Sequence, residues 1–145
     1  MVCLGNICRS PLAEGILRSK LPEKDFIIDS VGTGNYHIGD PPDRRSIKIA
    51  KKYGLDISNL RGRQFSVKDF DVFDLIYVMD EINYQDVIKL ARNEFDIVKV
   101  KFILNEIYPN QNYDVPDPYW GNDHSFETVY KMLDEACSII ANKLI

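Results

Sequence analysis

Short apolar runs alternate with segments of helical period along the whole chain, and this order restricts the possible fold more than any other feature. Residues 75–79, Leu-Ile-Tyr-Val-Met, form a compact run of the kind found in strands buried on both faces. Val98, Val100 and Phe102 alternate with Lys99 and Lys101, the pattern of a half-exposed strand near a sheet edge. Residues 26–31 read as a further strand, broken by Gly32 and Gly34. Between these runs, Leu12, Ile16, Leu17 and Leu21 recur at helical spacing, with Pro11 suited to the first helical position. Residues 43–53 read as a helix stopped by Gly54, and Ser66-Val67-Lys68-Asp69 resembles a capping box before a short one. Residues 82–91 are helical in pattern. Phe126, Val129, Leu133, Ala136, Cys137, Ile140 and Leu144 mark a long terminal amphipathic helix. Residues 35–42 and 105–122 read as loops. Strands that alternate with helices argue for a parallel sheet covered on both faces. Only Met1 and Val2 precede Cys3, so the first strand, central in such a sheet, is expected to be almost absent and to need apolar residues upstream.

A chain of 145 residues suits one domain, residues 1–145, and 45% hydrophobic content is enough for a single core. The net charge of −4 does not favour a nucleic-acid partner. No apolar run approaches the roughly 20 residues that cross a bilayer, so no membrane role is expected. The three cysteines and two histidines have no metal-ligand spacing. The expectation is a cytoplasmic protein with free thiols, no metal and no cofactor.

The chemistry concentrates in the opening stretch, Cys3-Leu4-Gly5-Asn6-Ile7-Cys8-Arg9-Ser10-Pro11. A loop of successive backbone N–H groups that feeds a helix N-terminus is a concave anion site, because amides and helix dipole point the same way. Gly5 supplies freedom for the turn, and Arg9 a planar fork for two phosphate oxygens. Such a cradle also stabilises a thiolate at Cys3. Ser10 can donate to that sulfur, and Asn6 can brace the loop. A thiolate on the floor of an oxyanion cradle is a nucleophile aimed at phosphorus.

This stretch resembles the phosphate-binding loop of the low-molecular-weight protein tyrosine phosphatases, whose signature is a Cys and an Arg with five residues between them, then Ser. Asp117-Pro118-Tyr119-Trp120 resembles the family's general-acid loop, and Val78-Met79-Asp80-Glu81 and Phe126-Glu127-Thr128-Val129-Tyr130 also look like family segments. The resemblance spans nearly the whole chain. It implies an α/β three-layer sandwich with a four-stranded parallel sheet and helices on both faces. It implies metal-independent hydrolysis of phosphotyrosine in a protein or peptide through a phosphocysteine, with inorganic phosphate as product. Cys3, Arg9 and Asp117 would be catalytic. Leu4, Gly5, Asn6, Ile7, Cys8 and Ser10 would bind the phosphate. Tyr36, Tyr119 and Trp120 would wall the slot for the phenyl ring, and Ser30 and Asp80 would buttress the loop. Spacing alone does not choose Asp117 over Asp114 or Asp123. The resemblance also offers Cys8 as a disulfide partner protecting Cys3 from oxidation, against a role as a small residue packed under the loop. Cys137 belongs to the core, and His37 reads as a rim residue rather than a base. Where mammalian relatives carry a histidine before the Arg-Gln pair, this chain has Leu60-Arg61-Gly62 before Arg63-Gln64.

Three other functions compete. Arsenate reductase on this scaffold needs two further cysteines in mid-chain, and none stands between Cys8 and Cys137. Protein arginine phosphatases carry threonine where Ile7 stands; a bulky apolar side chain there favours a flat aromatic ring over phosphoguanidinium. A silent phosphopeptide-binding module would need no acid at Asp117.

Overall fold

The computed structural model describes all residues, Met1–Ile145. Its sheet has four parallel strands, β1 (Val2–Cys3), β2 (Val31–Gly32), β3 (Ile76–Val78) and β4 (Val100–Phe102), in the order β2-β1-β3-β4. Val2 pairs with Val31 on one side and Val78 on the other, so β1 is central although only two residues long. β4 lies at an edge, where Lys101 is exposed between buried Val100 and Phe102.

The period of two along each strand sorts side chains to opposite faces. Cys3, Tyr77 and Met79 join one core cluster, beneath α1 (Arg9–Lys20), α2 (Arg44–Lys52) and α6 (Asp123–Leu144). Val2, Ile76, Val78, Val100 and Phe102 join the other, beneath α3 (Lys68–Val72) and α4 (Glu81–Ile88), which contribute Phe70 and Val87. The outcome is the expected three-layer α/β sandwich. α6 packs mainly along α1, with Leu12, Ile16, Leu133 and Ile140 almost wholly out of water. No helix is long and apolar enough to cross a membrane.

Several local readings are corrected. The strand expected over 26–31 shrinks to Val31–Gly32, and Ile27 is 79% exposed. Its partner β1 spans only Val2 and Cys3; before it, Met1 O accepts the Val31 N–H and the Met1 amino group donates to Asp29 O. Val98 is not in a strand. It lies exposed in a helix the pattern did not reveal, α5 (Glu94–Lys99). That helix starts because the Asn93 side chain accepts the Asp96 N–H at 3.0 Å while Arg92 grips Asp96 and Asp71. α1 begins at Arg9, so Pro11 is third rather than first; this is harmless, because first-turn N–H groups lack intrahelical acceptors anyway. At α3 only half the capping box forms: Asp69 accepts the Ser66 N–H at 2.9 Å, but Val67 is the N-cap. Two 3₁₀ turns, Ile103–Glu106 and Pro118–Trp120, occupy or border the loop expected over 105–122. Gly54 does end α2, at φ +82°.

Leu133 is fully buried in the larger cluster. Leu133→Ala is expected to cost about 2–5 kcal/mol, read as a lower urea midpoint with an unchanged slope in equilibrium unfolding.

Candidate active site

β1 ends at Cys3, α1 begins at Arg9, and the five residues between them curl beyond the carboxyl end of the central strand. Ligands of open α/β sheets bind at that end. The left-handed residue of the loop is Asn6, at φ +57°, and not Gly5 as expected; asparagine tolerates that conformation better than most residues. Gly5 is instead held to its size by His37, whose Cδ2 would lie 3.1 Å from an added Cβ. Gly32 is limited more tightly, since a Cβ there would meet the backbone of Leu4, Gly5 and Asn6 within 3.2 Å. The second strand can pass against the loop only because it carries a glycine.

Cys3 is 2% exposed. Its Sγ accepts the Asn6 N–H at 3.2 Å and lies 3.1 Å from Ser10 Oγ. The N–H groups of Gly5, Ile7 and Cys8 find no acceptor in the protein. The first turn of α1, which follows directly, has no side-chain cap either. Ser10 Oγ also accepts from Asn6 Nδ2 at 2.7 Å and reaches Val31 O at 3.3 Å. Its one proton therefore goes to the sulfur when that is a thiolate and to Val31 when it is a thiol.

The direction of this network is fixed from outside the loop. Ser30 Oγ donates to Glu14 Oε1 at 2.7 Å, so it accepts from Asn6 Nδ2, at 3.0 Å. Asn6 Oδ1 accepts the Arg63 N–H at 3.1 Å, which rules out the flipped amide. Glu14 is 2% exposed and pairs with Arg18 at 2.9 Å. Burial raises its carboxyl above the ordinary 4.5, more than the Ser30 hydrogen bond and Arg18 lower it.

Arg9, also 2% exposed, donates through Nη1 to Asp80 Oδ2 at 2.7 Å and to Val115 O at 2.9 Å. That leaves the Nε/Nη2 edge, the edge that grips two oxygens side by side. Burial alone would lower its pKa, but the charges of Cys3, Asp80 and Asp117 outweigh it and hold the guanidinium charged. Asp117 Oδ2 lies 3.8 Å from Arg9 Nη2, and its Oδ1 accepts the Tyr119 N–H at 3.1 Å. Asp114 turns away to accept the Glu81 N–H, and Asp123 pairs with Lys48. Of these three aspartates, Asp117 alone lies beside Arg9.

The cleft above has a volume of about 260 Å³ and is lined by the loop residues Cys3, Leu4, Gly5, Ile7, Cys8 and Arg9, with Asp117 at its side. Tyr36, Tyr119 and Trp120 stand at its mouth; Trp120 is 89% exposed. His37 also lines it, with Nδ1 3.0 Å from Asp40 Oδ2. A larger groove of about 310 Å³, lined by Met1, Leu17, Phe26 and Ile140 among others, holds no cysteine and no arginine. Cys8 is buried, and burial together with Asp43 and Cys3 pushes its thiol up to about 12. Cys137 is core, its Sγ donating to Ala13 O. All three cysteines are free.

Sequence reasoning passed over Glu14, Asp43, Arg45, Arg63 and Val115. Glu14 gave a signal: a carboxylate one turn past Ser10, on the helix stripe that otherwise carries apolar residues.

A family model described as low molecular weight phosphotyrosine protein phosphatase matches residues 1–145. The low molecular weight phosphotyrosine protein phosphatase of Homo sapiens is 38% identical over 147 aligned residues, covering 98% of this chain and 92% of the relative. Among solved structures, a protein tyrosine phosphatase of Entamoeba histolytica with Hepes in its active site superposes at TM-score 0.91 and 33% identity, covering 99% of this chain and 93% of that one. Vibrio vulnificus Wzb in complex with benzylphosphonate gives 0.88 and 30%, covering 98% and 94%.

A raised carboxyl means that the folded protein holds the Glu14 proton to higher pH than the unfolded chain does. Its contribution to stability is therefore greatest below the unfolded value of 4.5 and falls as pH rises through the folded one. Wild type is expected to lose stability relative to Glu14→Gln as pH rises above 4.5, measured by urea unfolding at a series of pH values.

Proposed function

This chain belongs to the low molecular weight phosphotyrosine protein phosphatases, and on that premise we propose that residues 1–145 form one phosphatase domain working through a phosphocysteine at Cys3. The enzyme is a hydrolase of protein phosphotyrosine. Cys3 Sγ attacks phosphorus in line, forming the S–P bond as the bond to the phenolic oxygen breaks. Arg9 and the loop amides take up the charge on the equatorial oxygens. Asp117, protonated, gives its proton to the departing phenolate. Water then attacks the phosphocysteine, Asp117 takes a proton from it, and inorganic phosphate and the thiolate are released. Arg9 and the amides supply the positive field, so the reading asks for no metal.

One observation carries this reading: Cys3, Arg9 and Asp117 converge on one cleft, with the Asp117 carboxylate 3.8 Å from Arg9. Ser30 and Asp80 act as buttresses, through Asn6 and Arg9 respectively. Tyr36, Tyr119 and Trp120, which line the cleft, flank the phenyl ring; the structural neighbour Vibrio vulnificus Wzb is in complex with benzylphosphonate, an aryl-bearing phosphonate. Three free thiols suit the reducing cytoplasm. Cys8 borders the same cleft as Cys3 and is the candidate partner for a protective disulfide.

The rivals are weaker. Arsenate reduction lacks its relay cysteines, and Cys137 is buried against α1 rather than near the cleft. A silent binding module leaves the Asp117 geometry without purpose. Arginine phosphatase activity is opposed by Ile7, which presents a branched apolar side chain to the cleft.

Cys3→Ser is expected to abolish release of phenol from an aryl phosphate, assayed with chelator present, while inorganic phosphate still binds. Retained turnover overturns the covalent mechanism. Asp117→Asn should lower kcat/KM for phenols that are poor leaving groups by about 10²–10⁴-fold. Ile7→Thr should raise phosphoarginine hydrolysis relative to aryl phosphate hydrolysis; an unchanged ratio removes Ile7 from substrate choice.

A further inference from the structure

Arg45 lies off the floor of the cleft, yet it touches both segments that must meet for the reaction. Its Nε and Nη2 donate to Asp43 Oδ1 and Oδ2, both at 3.0 Å, a bidentate pair that fixes the plane of the guanidinium. Asp43 is the N-cap of α2, and its own N–H donates to Ile7 O at 2.7 Å, inside the phosphate loop. That side of the pair is tied to the nucleophile's loop.

The other side is tied to the acid. Arg45 Nη1 donates to Gly121 O at 3.3 Å, and its Cζ lies 5.5 Å over the Tyr119 ring and 4.5 Å over the Phe126 ring. Tyr119 N–H holds Asp117 Oδ1, and Gly121 N–H closes the turn by donating to Pro118 O at 2.8 Å. At its start the acid segment is pinned separately. Val115 N–H donates to Met79 O at 2.7 Å, and Val115 O accepts from Arg9. Asp117 therefore hangs between two anchors, of which Arg45 is the later one. A surface pair that served only stability would need neither the Ile7 bond nor the two rings.

We propose that Arg45 is a positioning residue that holds the Asp117 carboxyl in register with the phosphate loop, bridging Ile7 through Asp43 to the turn at Tyr119 and Gly121. The inference rests on the acid role of Asp117 given above. Loss of the bridge frees the far end of the acid segment, so proton delivery to the leaving oxygen suffers while the phosphate cradle, held by Ser30, Asp80 and Arg63, keeps its shape.

The test is kcat/KM for aryl phosphates whose phenols span weak to strong acids, in wild type, Arg45→Ala, Arg45→Lys, Asp117→Asn and the Arg45→Ala/Asp117→Asn double variant. Thermal melts check folding; if Arg45→Ala does not melt cooperatively, Arg45→Lys, which keeps the charge and loses the fork, carries the comparison. Arg45→Ala should lose about tenfold or more on weakly acidic phenols and little on strongly acidic ones. Inhibition by inorganic phosphate should stay as in wild type, and in the Asp117→Asn background the substitution should cost less than about twofold. Equal loss across all leaving groups, or full additivity with Asp117→Asn, overturns the inference. If Asp117→Asn itself leaves the leaving-group dependence unchanged, the acid assignment fails instead, and the two failures are told apart.

Discussion

A guanidinium taken out of water costs several kcal/mol unless its charge and its N–H groups are met, and the buried Arg9 imposes that demand on everything around it. Asp80, the second residue past β3 and the N-cap of α4, supplies the charge. Val115 supplies a carbonyl and so brings the acid segment to the loop. What remains of the fork is free beside the cleft. One side chain at the start of a helix thus connects the end of a central strand with the segment that carries Val115 and Asp117. The sheet order β2-β1-β3-β4 matters for the same reason: it puts the loop after β1 beside the loop after β3, where Asp80 stands.

The second constraint is the polarity of the hydrogen-bond chain from Glu14 to Cys3. Each link has a defined donor because both termini are fixed, Ser30 by a carboxylate and the Asn6 carbonyl oxygen by a backbone N–H. Ser10, which accepts from Asn6, is therefore left with its one proton to give either to the sulfur or to Val31 O. Burying Glu14 costs stability above its ordinary titration range, and the structure accepts this beneath the loop that carries Cys3. Here a local loss of stability and the control of a reactive group come from the same residue.

How far the sequence could be read depended on the range of the interactions. The loop from Cys3 to Pro11 was legible because its chemistry is local: thiol, guanidinium and hydroxyl lie within eight positions, and the amides that cradle an anion belong to the same stretch. β3 and α6 were legible from periodicity. The strand over 26–31 was misread because strand length is set by the partner, and β1 is only two residues long. α5 was missed because its start depends on Asn93 and on Arg92 clamping Asp71 and Asp96, polar contacts that leave no apolar pattern.

By itself, the sequence determined the alternation of elements, the two-faced core and the place of the Cys3–Pro11 loop between a strand and a helix, since each follows from side-chain period or from residues adjacent in the chain. Only the tertiary structure decided which aspartate faces Arg9, why Gly32 must lack a side chain, and how Glu14, Arg63 and Arg45 reach the site. Those choices join residues from about sixteen to more than a hundred positions apart. Nothing in a linear pattern encodes such distances; they are set by packing of the layers, which brings the partners within hydrogen-bond reach.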